Sequence, residues 1–130
     1  MKQQQLIVDR YIKEISIKTS GYEQLAGNLS GGNQQKVILS RWLALDPEFL
    51  IFDEPTHGID VGAKAEIEKI IQRLKKENTA VLFISSELEE VERNADRVVL
   101  LIGKKKAGEL TGDEISEDNI FSILAEGGVE

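Results

Sequence analysis

Two short stretches of this chain carry the residue types needed to recognise a phosphate group. The first is LSGGNQQK, from Leu29 to Lys36, in which Ser30, Gly31 and Gly32 stand where a helix is predicted to begin. The start of a helix has unpaired N–H groups and the positive end of the helix dipole, and glycines let that backbone approach a phosphate without a Cβ in the way. LSGGNQQK therefore predicts one end of a nucleoside triphosphate site.

The second stretch is FLIFDEPT, from Phe49 to Thr56, an apolar run that ends in the carboxylates of Asp53 and Glu54. An apolar residue at every position predicts a strand covered on both faces, as in parallel sheets, and such strands bind ligands at their carboxyl ends. Carboxylates at that end could serve the metal ion of a phosphate and an attacking water. FLIFDEPT therefore predicts the other end of the site.

A purely structural interpretation exists for each stretch. Ser30 could only cap a helix that runs to about Leu45, and Asp53-Glu54 could be a polar strand end. The order of the signals favours chemistry, because the glycine-opened helix is followed by a stop at Asp46-Pro47, then by the strand, and then by Gly58-Ile59-Asp60.

On these residues the chain resembles the nucleotide-binding domain of ABC ATPases. LSGGNQQK matches the signature motif, FLIFDE the Walker B strand with its catalytic glutamate, and Gly58-Ile59-Asp60 the D-loop. LSGGNQQKV, DEPTHGIDVGAKAEI and ISSELEEV together are similar to the second such domain of the double-domain ATPases that drive bacterial ribose, galactose or xylose importers. The resemblance runs from about Tyr11 to Leu110. It implies an α/β fold, a partial P-loop NTPase core with a short parallel sheet, flanking helices, an edge hairpin and part of the helical subdomain.

The resemblance also implies a mechanism, in which two such domains close head to tail over two molecules of ATP. Asp53 would hold Mg²⁺ through water, and Glu54 would polarise the attacking water in its own domain's site. The residues expected to contact nucleotide lie at the start of the signature helix and in the D-loop, and they are Ser30, Gly31, Gly32, Asn33, Gln34 and Asp60.

The chain departs from the family after its next strand, where most members have a histidine that contacts the terminal phosphate. The matching residue is Ser86, our second candidate catalytic residue, which should lie near Glu54 because parallel strands end at one edge. A hydroxyl can hydrogen-bond a phosphate but cannot carry the charge of an imidazole. Hydrolysis at this site is therefore open, and Ser86 could also simply cap a helix from Glu87 to about Asn94.

The Walker A pattern G-x-x-x-x-G-K-[ST] does not occur in the 130 residues. That loop normally supplies the phosphate cradle, so we expect weak ATP and Mg²⁺ binding by the chain alone. We interpret the chain as the C-terminal part of a nucleotide-binding domain. About 1–45 would be helical subdomain with the signature, about 46–112 would run from Walker B to the hairpin, and about 113–130 would be a C-terminal helix and tail.

Composition narrows the partners. The formal net charge of −7 argues against nucleic acid, and no apolar run reaches the roughly 18 residues that span a bilayer. The resemblance implies a second nucleotide-binding domain, transmembrane permease subunits and, indirectly, a sugar-binding protein. The chain would then be cytoplasmic, on the inner face of the membrane through the permease, and its uncovered apolar faces predict self-association. Two other functions are alternatives to a sugar importer. The chain could belong to an ABC ATPase without a transporter, or it could be a non-catalytic regulatory module.

Apolar spacing predicts the elements that position these residues. A first helix, from about residue 4 to 15, has one apolar face, Leu6, Ile7, Tyr11 and Ile15. A second, from Asn33 to Leu45, is expected to bury Val37, Ile38, Trp42 and Leu45. A third, capped by Asp60, has the stripe Ile67, Ile70, Ile71 and Leu74. A buried strand over 80–84, a hairpin around Gly103-Lys104 and a helix over 116–126 follow.

Overall fold

A computed structural model describes residues 2–127 of the chain. These residues form five α-helices, which are α1 (Lys2–Glu14), α2 (Gly31–Leu43), α3 (Val61–Lys76), α4 (Leu88–Asn94) and α5 (Glu117–Gly127). They also form four strands, which are β1 (Phe49–Asp53), β2 (Ala80–Ile84), β3 (Arg97–Ile102) and β4 (Lys105–Thr111). The chain divides into two compact units between residues 82 and 83.

The first unit is built around α3, whose predicted stripe of four apolar side chains is buried as expected, Ile67, Ile70, Ile71 and Leu74. The helix ends at Lys76 with three basic residues in its last turn, and Asn78 adopts a left-handed φ of 62° just beyond it. Strands β1 and β2 pair in a short parallel sheet. The backbone N–H of Ala80 leads into it by donating to the carbonyl oxygen of Glu48 at 2.9 Å.

The prediction that β1 is covered on both faces is wrong. Leu50 is buried, whereas Phe49 and Ile51 are more than half exposed. Strand β2 alternates in the same way and has no fully buried residue among Ala80–Ile84. Within the described residues, only one side of this sheet is covered.

The predicted buried faces of the first two helices also need correction. No residue of Lys2–Glu14 is buried, and of the predicted apolar face only Ile15, just beyond α1, enters the core. On α2, Trp42 is 58% exposed rather than a core anchor, and Ile38 is exposed too. Leu45 lies beyond the end of α2 and is also exposed. The buried side of α2 is instead the one that carries Gly32, Lys36, Leu39 and Leu43. This face was missed because one of its four members is a lysine.

The second unit is a hairpin covered by helices. Strands β3 and β4 form an antiparallel sheet of two strands, and Gly103 and Lys104 make the predicted turn with φ values of 56° and 66°. Two positive φ values are what a tight hairpin turn requires. The core cluster lies between the hairpin and α5, and it consists of Val98, Leu100, Leu110, Ile115 and Ile120. Ile123 and Leu124 pack against this cluster, so α5 places its apolar side chains against the hairpin.

No helix within residues 2–127 is long and apolar enough to cross a membrane. The predicted tail after Gly127 lies outside the described residues.

Candidate functional site

Ser30 is the N-cap of α2, as its type and position predicted. Its Oγ accepts a hydrogen bond from the backbone N–H of Asn33 at 3.4 Å and a second from the side-chain amide of Asn33 at 2.8 Å. Ser30 itself is exposed to solvent. The hydroxyl accepts two hydrogen bonds from one side, so its own proton is left to donate outward, beside the positive end of the helix.

The side chain of Asn33 is held in place from its other end. Its Oδ1 accepts a hydrogen bond from the backbone N–H of Lys18 at 2.8 Å, which fixes the amide so that Nδ2 faces Ser30. Gln34 is used internally as well, because its Nε2 donates to the carbonyl oxygen of Leu29 at 2.9 Å. Both side chains shape the turn that presents Ser30.

The two glycines of the motif lie against the start of α3. A Cβ on Gly32 would be 2.4 Å from the Cβ of Ala63, far inside contact distance, whereas a Cβ on Gly31 would stand 3.8 Å from Ile59. Gly32 is therefore required for the close packing of α2 on α3, a role that the sequence analysis did not give it. Its expected contact with nucleotide stays a prediction.

Asp60 caps α3, the helix beside α2. The backbone N–H of Ala63 donates to its Oδ1 at 3.0 Å. This hydrogen bond is the main cause of a lowered pKa of the Asp60 carboxyl, with a smaller contribution from the charge of Lys18. Asp60 is thus ionised at neutral pH and lies with the N-termini of two helices.

Asp53 and Glu54 stand at the end of β1, where the chain turns sharply. Asp53 is exposed, and Glu54 has a left-handed φ of 47°, an uncommon conformation for a residue with a side chain. The backbone N–H of His57 donates to the carbonyl oxygen of Glu54 at 3.1 Å and closes the turn. Such strain costs on the order of 1–3 kcal/mol and is typical of functional positions.

The donor set at this turn suits a magnesium ion held mostly by water. Carboxylate oxygens are ligands that Mg²⁺ prefers, and Mg²⁺ usually keeps several of its waters. No group of three or more potential metal-ligating side chains occurs within residues 2–127, so the fit is to one carboxylate and water rather than to a protein cage.

Ser86 belongs to the second unit, so its predicted closeness to Glu54 stays a prediction. The alternative in which Ser86 caps the next helix is wrong, because the N-cap position of α4 is Glu87. The neighbouring hydroxyl of Ser85 accepts from the backbone N–H of Glu87 at 3.0 Å and contacts the buried carboxylate of Glu90 at 3.2 Å.

Sequence reasoning gave no role to Lys36, the last residue of LSGGNQQK. Its side chain is only 2% exposed, and its Nζ forms an ion pair with Glu66 of α3. The signal was available, since Lys36 falls four residues after Gly32 and three before Leu39, on the face that the structure buries.

Comparison with known proteins extends this description. A family model described as ABC transporter matches residues 1–57. The ribose import ATP-binding protein RbsA of Clostridium perfringens (strain SM101) is 50% identical over 116 residues, which are 89% of this chain and 23% of that protein. The galactofuranose transporter ATP-binding protein YtfR of Escherichia coli (strain K12) is 50% identical over 124 residues, 95% of this chain and 25% of that protein. The chain thus spans about a quarter of the length of the curated relatives that it matches.

A solved structure supports the fold. The dimeric post-hydrolysis state of the ATP-binding cassette MJ0796, bound to ADP and Pi, matches with a TM-score of 0.75 and 20% identity, over 85% of this chain and 47% of that one. At this identity the likeness establishes the fold alone. The predicted α/β class and the resemblance on which it rested are both confirmed.

Proposed function

Because this chain belongs to the ABC transporter family of ATP-binding proteins, we propose that it supplies parts of two ATP sites in a sugar importer. The start of α2 serves the site of an opposite nucleotide-binding domain. The turn after β1 serves the site of its own domain. ATP binding and hydrolysis at such sites would drive sugar uptake.

The observation that supports this proposal best is the state of the Ser30 hydroxyl. Two hydrogen bonds from Asn33 occupy the lone pairs of its oxygen, which leaves its proton for a further acceptor, and Ser30 is exposed at a positive helix end. A group that can only donate outward in a positive field suits a phosphate oxygen and not a cation. Gly31, Gly32 and Gln34 belong to the same nucleotide-contacting turn.

The carboxylates have the complementary role. Asp53 would hold Mg²⁺ through water, and Mg²⁺ when bound offsets the charge of the phosphate oxygens. Glu54 would polarise the water that attacks the terminal phosphate, and Ser86 would donate its hydroxyl to that phosphate. Asp60, whose pKa is lowered chiefly by the hydrogen bond from the backbone N–H of Ala63, would reach across the interface between the two domains.

The partners follow from the same proposal. They are a second nucleotide-binding domain, transmembrane permease subunits and, indirectly, a sugar-binding protein, which would place the chain on the inner face of the membrane. Large apolar side chains are more than half exposed in the first unit, as expected where another protein chain docks, and they include Leu6, Leu25, Trp42 and Leu45. The same surfaces favour self-association of the isolated chain. The matched relatives are named for different sugars, so the sugar stays unassigned.

The isolated chain should bind ATP weakly, because no Walker A pattern occurs in its sequence. Calorimetric titration of the 130-residue chain with ATP and Mg²⁺ tests this expectation. Submicromolar binding would contradict the assigned roles, since it would require a phosphate cradle elsewhere in the chain.

Replacing Asn33 by Asp tests the Ser30 assignment in the complete ATP-binding protein. The carboxylate keeps the bond from Lys18 but cannot donate to Ser30, so the Ser30 hydroxyl turns inward and donates to the carboxylate. One hydrogen bond to a charged group is worth about 1.5–3 kcal/mol, so the KM for ATP should rise roughly 10- to 100-fold. Stability should not fall, because an acidic residue in the first turn favours the helix.

The matched control is Gln35→Glu, which adds the same charge two residues later and lies outside the proposed contacts. It should change the KM by less than about threefold, as expected for a screened charge effect. An equal rise in the KM for ATP in both variants would mean that the added charge alone, and not the direction of the Ser30 hydroxyl, causes the effect. An unchanged KM in Asn33→Asp would overturn the phosphate role of Ser30.

A further inference from the structure

Lys36 is a charged side chain on the buried face of a helix. It is 2% exposed and shares the buried side of α2 with Gly32, Leu39 and Leu43. Lysine is almost never fully buried unless its charge has a partner. Its presence on this face therefore calls for a specific interaction, and the structure contains one.

The ammonium group of Lys36 joins three segments of the first unit. Its Nζ donates to the carbonyl oxygen of Ser16 at 3.0 Å and forms the ion pair with Glu66 of α3. Ser16 lies just after α1 and has a left-handed φ of 55°. Lys36 thus ties the end of α1 and the body of α3 to α2.

The ion pair lies one helical turn beyond the closest contact between α2 and α3. Gly32 packs on Ala63, and Lys36, four residues later on α2, meets Glu66, three residues later on α3. The two helices therefore run side by side in the same direction, with their N-termini together. Two positive helix ends repel each other, so this alignment depends on the contacts that hold the helices.

We propose that Lys36 is a positioning residue that sets the spacing between Ser30, at the start of α2, and Asp60, at the start of α3. It does not touch nucleotide. It keeps the nucleotide-contacting turn at a fixed distance from the D-loop, so that both reach the opposite domain in the same relative position. This inference rests on the proposed role of Ser30.

A merely structural ion pair would also be buried, but it would affect different measurements. Removing it would lower stability and leave the spacing of the two helix starts unchanged in the molecules that remain folded. A positioning role predicts a changed spacing in folded protein, together with a raised KM for ATP and little change in kcat.

The chain has no cysteine, so two introduced cysteines can carry spin labels without interference. Exposed positions are available on both helices, and we choose Ile38→Cys on α2 and Ala65→Cys on α3. In this background we compare Lys36→Met, Lys36→Arg and the control Lys69→Met, which removes an exposed lysine from α3. The label-to-label distance distribution should be narrow in the parent and control, broader or shifted in Lys36→Met, and narrow again in Lys36→Arg.

The same variants are then assayed in the complete ATP-binding protein without labels. Lys36→Met should raise the KM for ATP roughly tenfold with kcat within about twofold, and Lys36→Arg should recover most of the difference. If Lys36→Met does not fold, Glu66→Gln replaces it, because an amide keeps an acceptor for Lys36 while removing the charge. An unchanged distance distribution or an unchanged KM in a folded variant overturns the inference.

Failure of the proposed function gives a different result. If Ser30 has no phosphate role, Asn33→Asp leaves the KM unchanged while Lys36→Met still alters the helix spacing. If only the inference fails, Asn33→Asp raises the KM and Lys36→Met changes neither quantity.

Discussion

Two helix N-termini lie side by side in the first unit, and they are capped by different chemistry. The cap of α2 is the hydroxyl of Ser30, and the cap of α3 is the carboxylate of Asp60. Each accepts a hydrogen bond from the backbone N–H three residues later, at Asn33 and at Ala63. The two ends thus have the same geometry and differ in charge.

The difference in charge separates a helix end satisfied within the chain from one left open to a ligand. The ionised Asp60 offsets the positive end of α3. Neutral Ser30 leaves the positive end of α2 without compensation, and the hydrogen bonds that it accepts from Asn33 leave the Ser30 proton for another acceptor. Both residue types cap helices about equally well, so stability alone does not explain the choice. Of the two ends, that of α2 is the better suited to an external anion.

Giving both helices an aspartate cap should have the largest effect, and we expect that effect on ATP turnover. Ser30→Asp keeps a good cap, so the free energy of unfolding of the chain should change by less than about 0.5 kcal/mol. In the complete ATP-binding protein, the new carboxylate would face the phosphate that Ser30 is proposed to contact. Like charges in contact cost several kcal/mol, so ATP turnover should fall by about 100-fold or more.

Chemical denaturation of the chain and a steady-state ATPase assay of the complete protein measure the two quantities. Ser20→Asp, an exposed serine elsewhere in the first unit, is the control for added charge. Wild-type turnover in a stable Ser30→Asp protein would show that the two helix ends do not differ in function.

Separating the two helix ends should have the next largest effect. Gly32→Ala places a Cβ 2.4 Å from that of Ala63, so the helices must move apart. Overpacking costs about 1–3 kcal/mol and outweighs the gain of up to about 1 kcal/mol that alanine brings to a helix. The free energy of unfolding should fall by about 1–2 kcal/mol.

The matched variant is Gly31→Ala, whose Cβ would meet Ile59 at an ordinary 3.8 Å. It should leave the free energy of unfolding unchanged or raise it by less than about 1 kcal/mol. Equal destabilisation of the two variants in urea unfolding would contradict the close approach of α2 and α3 at Gly32.

The sequence predicted the elements better than it predicted which faces they bury. The stripe of α3 contains only isoleucine and leucine, so helical spacing alone identified it. On α2 the apolar residues predicted one buried face, and the structure buries another. The prediction was wrong because the buried face contains the charged Lys36, whereas the large apolar Trp42 lies on the exposed side. A buried lysine can be predicted only when its ion-pair partner is known, and the partner of Lys36, Glu66, lies 30 residues away in the sequence.

The residues of the candidate site also differ in how well the sequence predicted their contacts. The caps Ser30 and Asp60 depend on contacts three residues along the chain, so residue type and position were enough to predict them. The packing role of Gly32 depends on Ala63 of another helix. The link from Lys18 to Asn33 spans 15 residues, and neither residue has a spacing that indicates it. Local hydrogen bonds could thus be predicted from sequence, and contacts between elements could not.

Exchanging the other cap should have the smallest effect, and it should be measurable as a change in how stability depends on pH in acid. Because the folded pKa of Asp60 is lowered, its contribution to stability is present above the unfolded pKa, near 4, and is lost as pH falls through the lower folded value. Asp60→Ser gives α3 the type of cap that α2 has, with nothing to titrate. Its stability should therefore decline less than that of the parent chain below about pH 4.

Glu109 of the second unit also has a lowered pKa, chiefly through its hydrogen bond to Lys106 and the charge of Lys106, so Glu109→Gln is the comparison. Added salt screens exposed ion pairs more than a bond from a backbone N–H, so 0.5 M salt, chosen as roughly three times physiological ionic strength, should reduce the difference for Glu109→Gln and largely preserve that for Asp60→Ser. Parallel acid profiles of Asp60→Ser and the parent in thermal unfolding would mean that the charge of Asp60 does not distinguish the two helix ends.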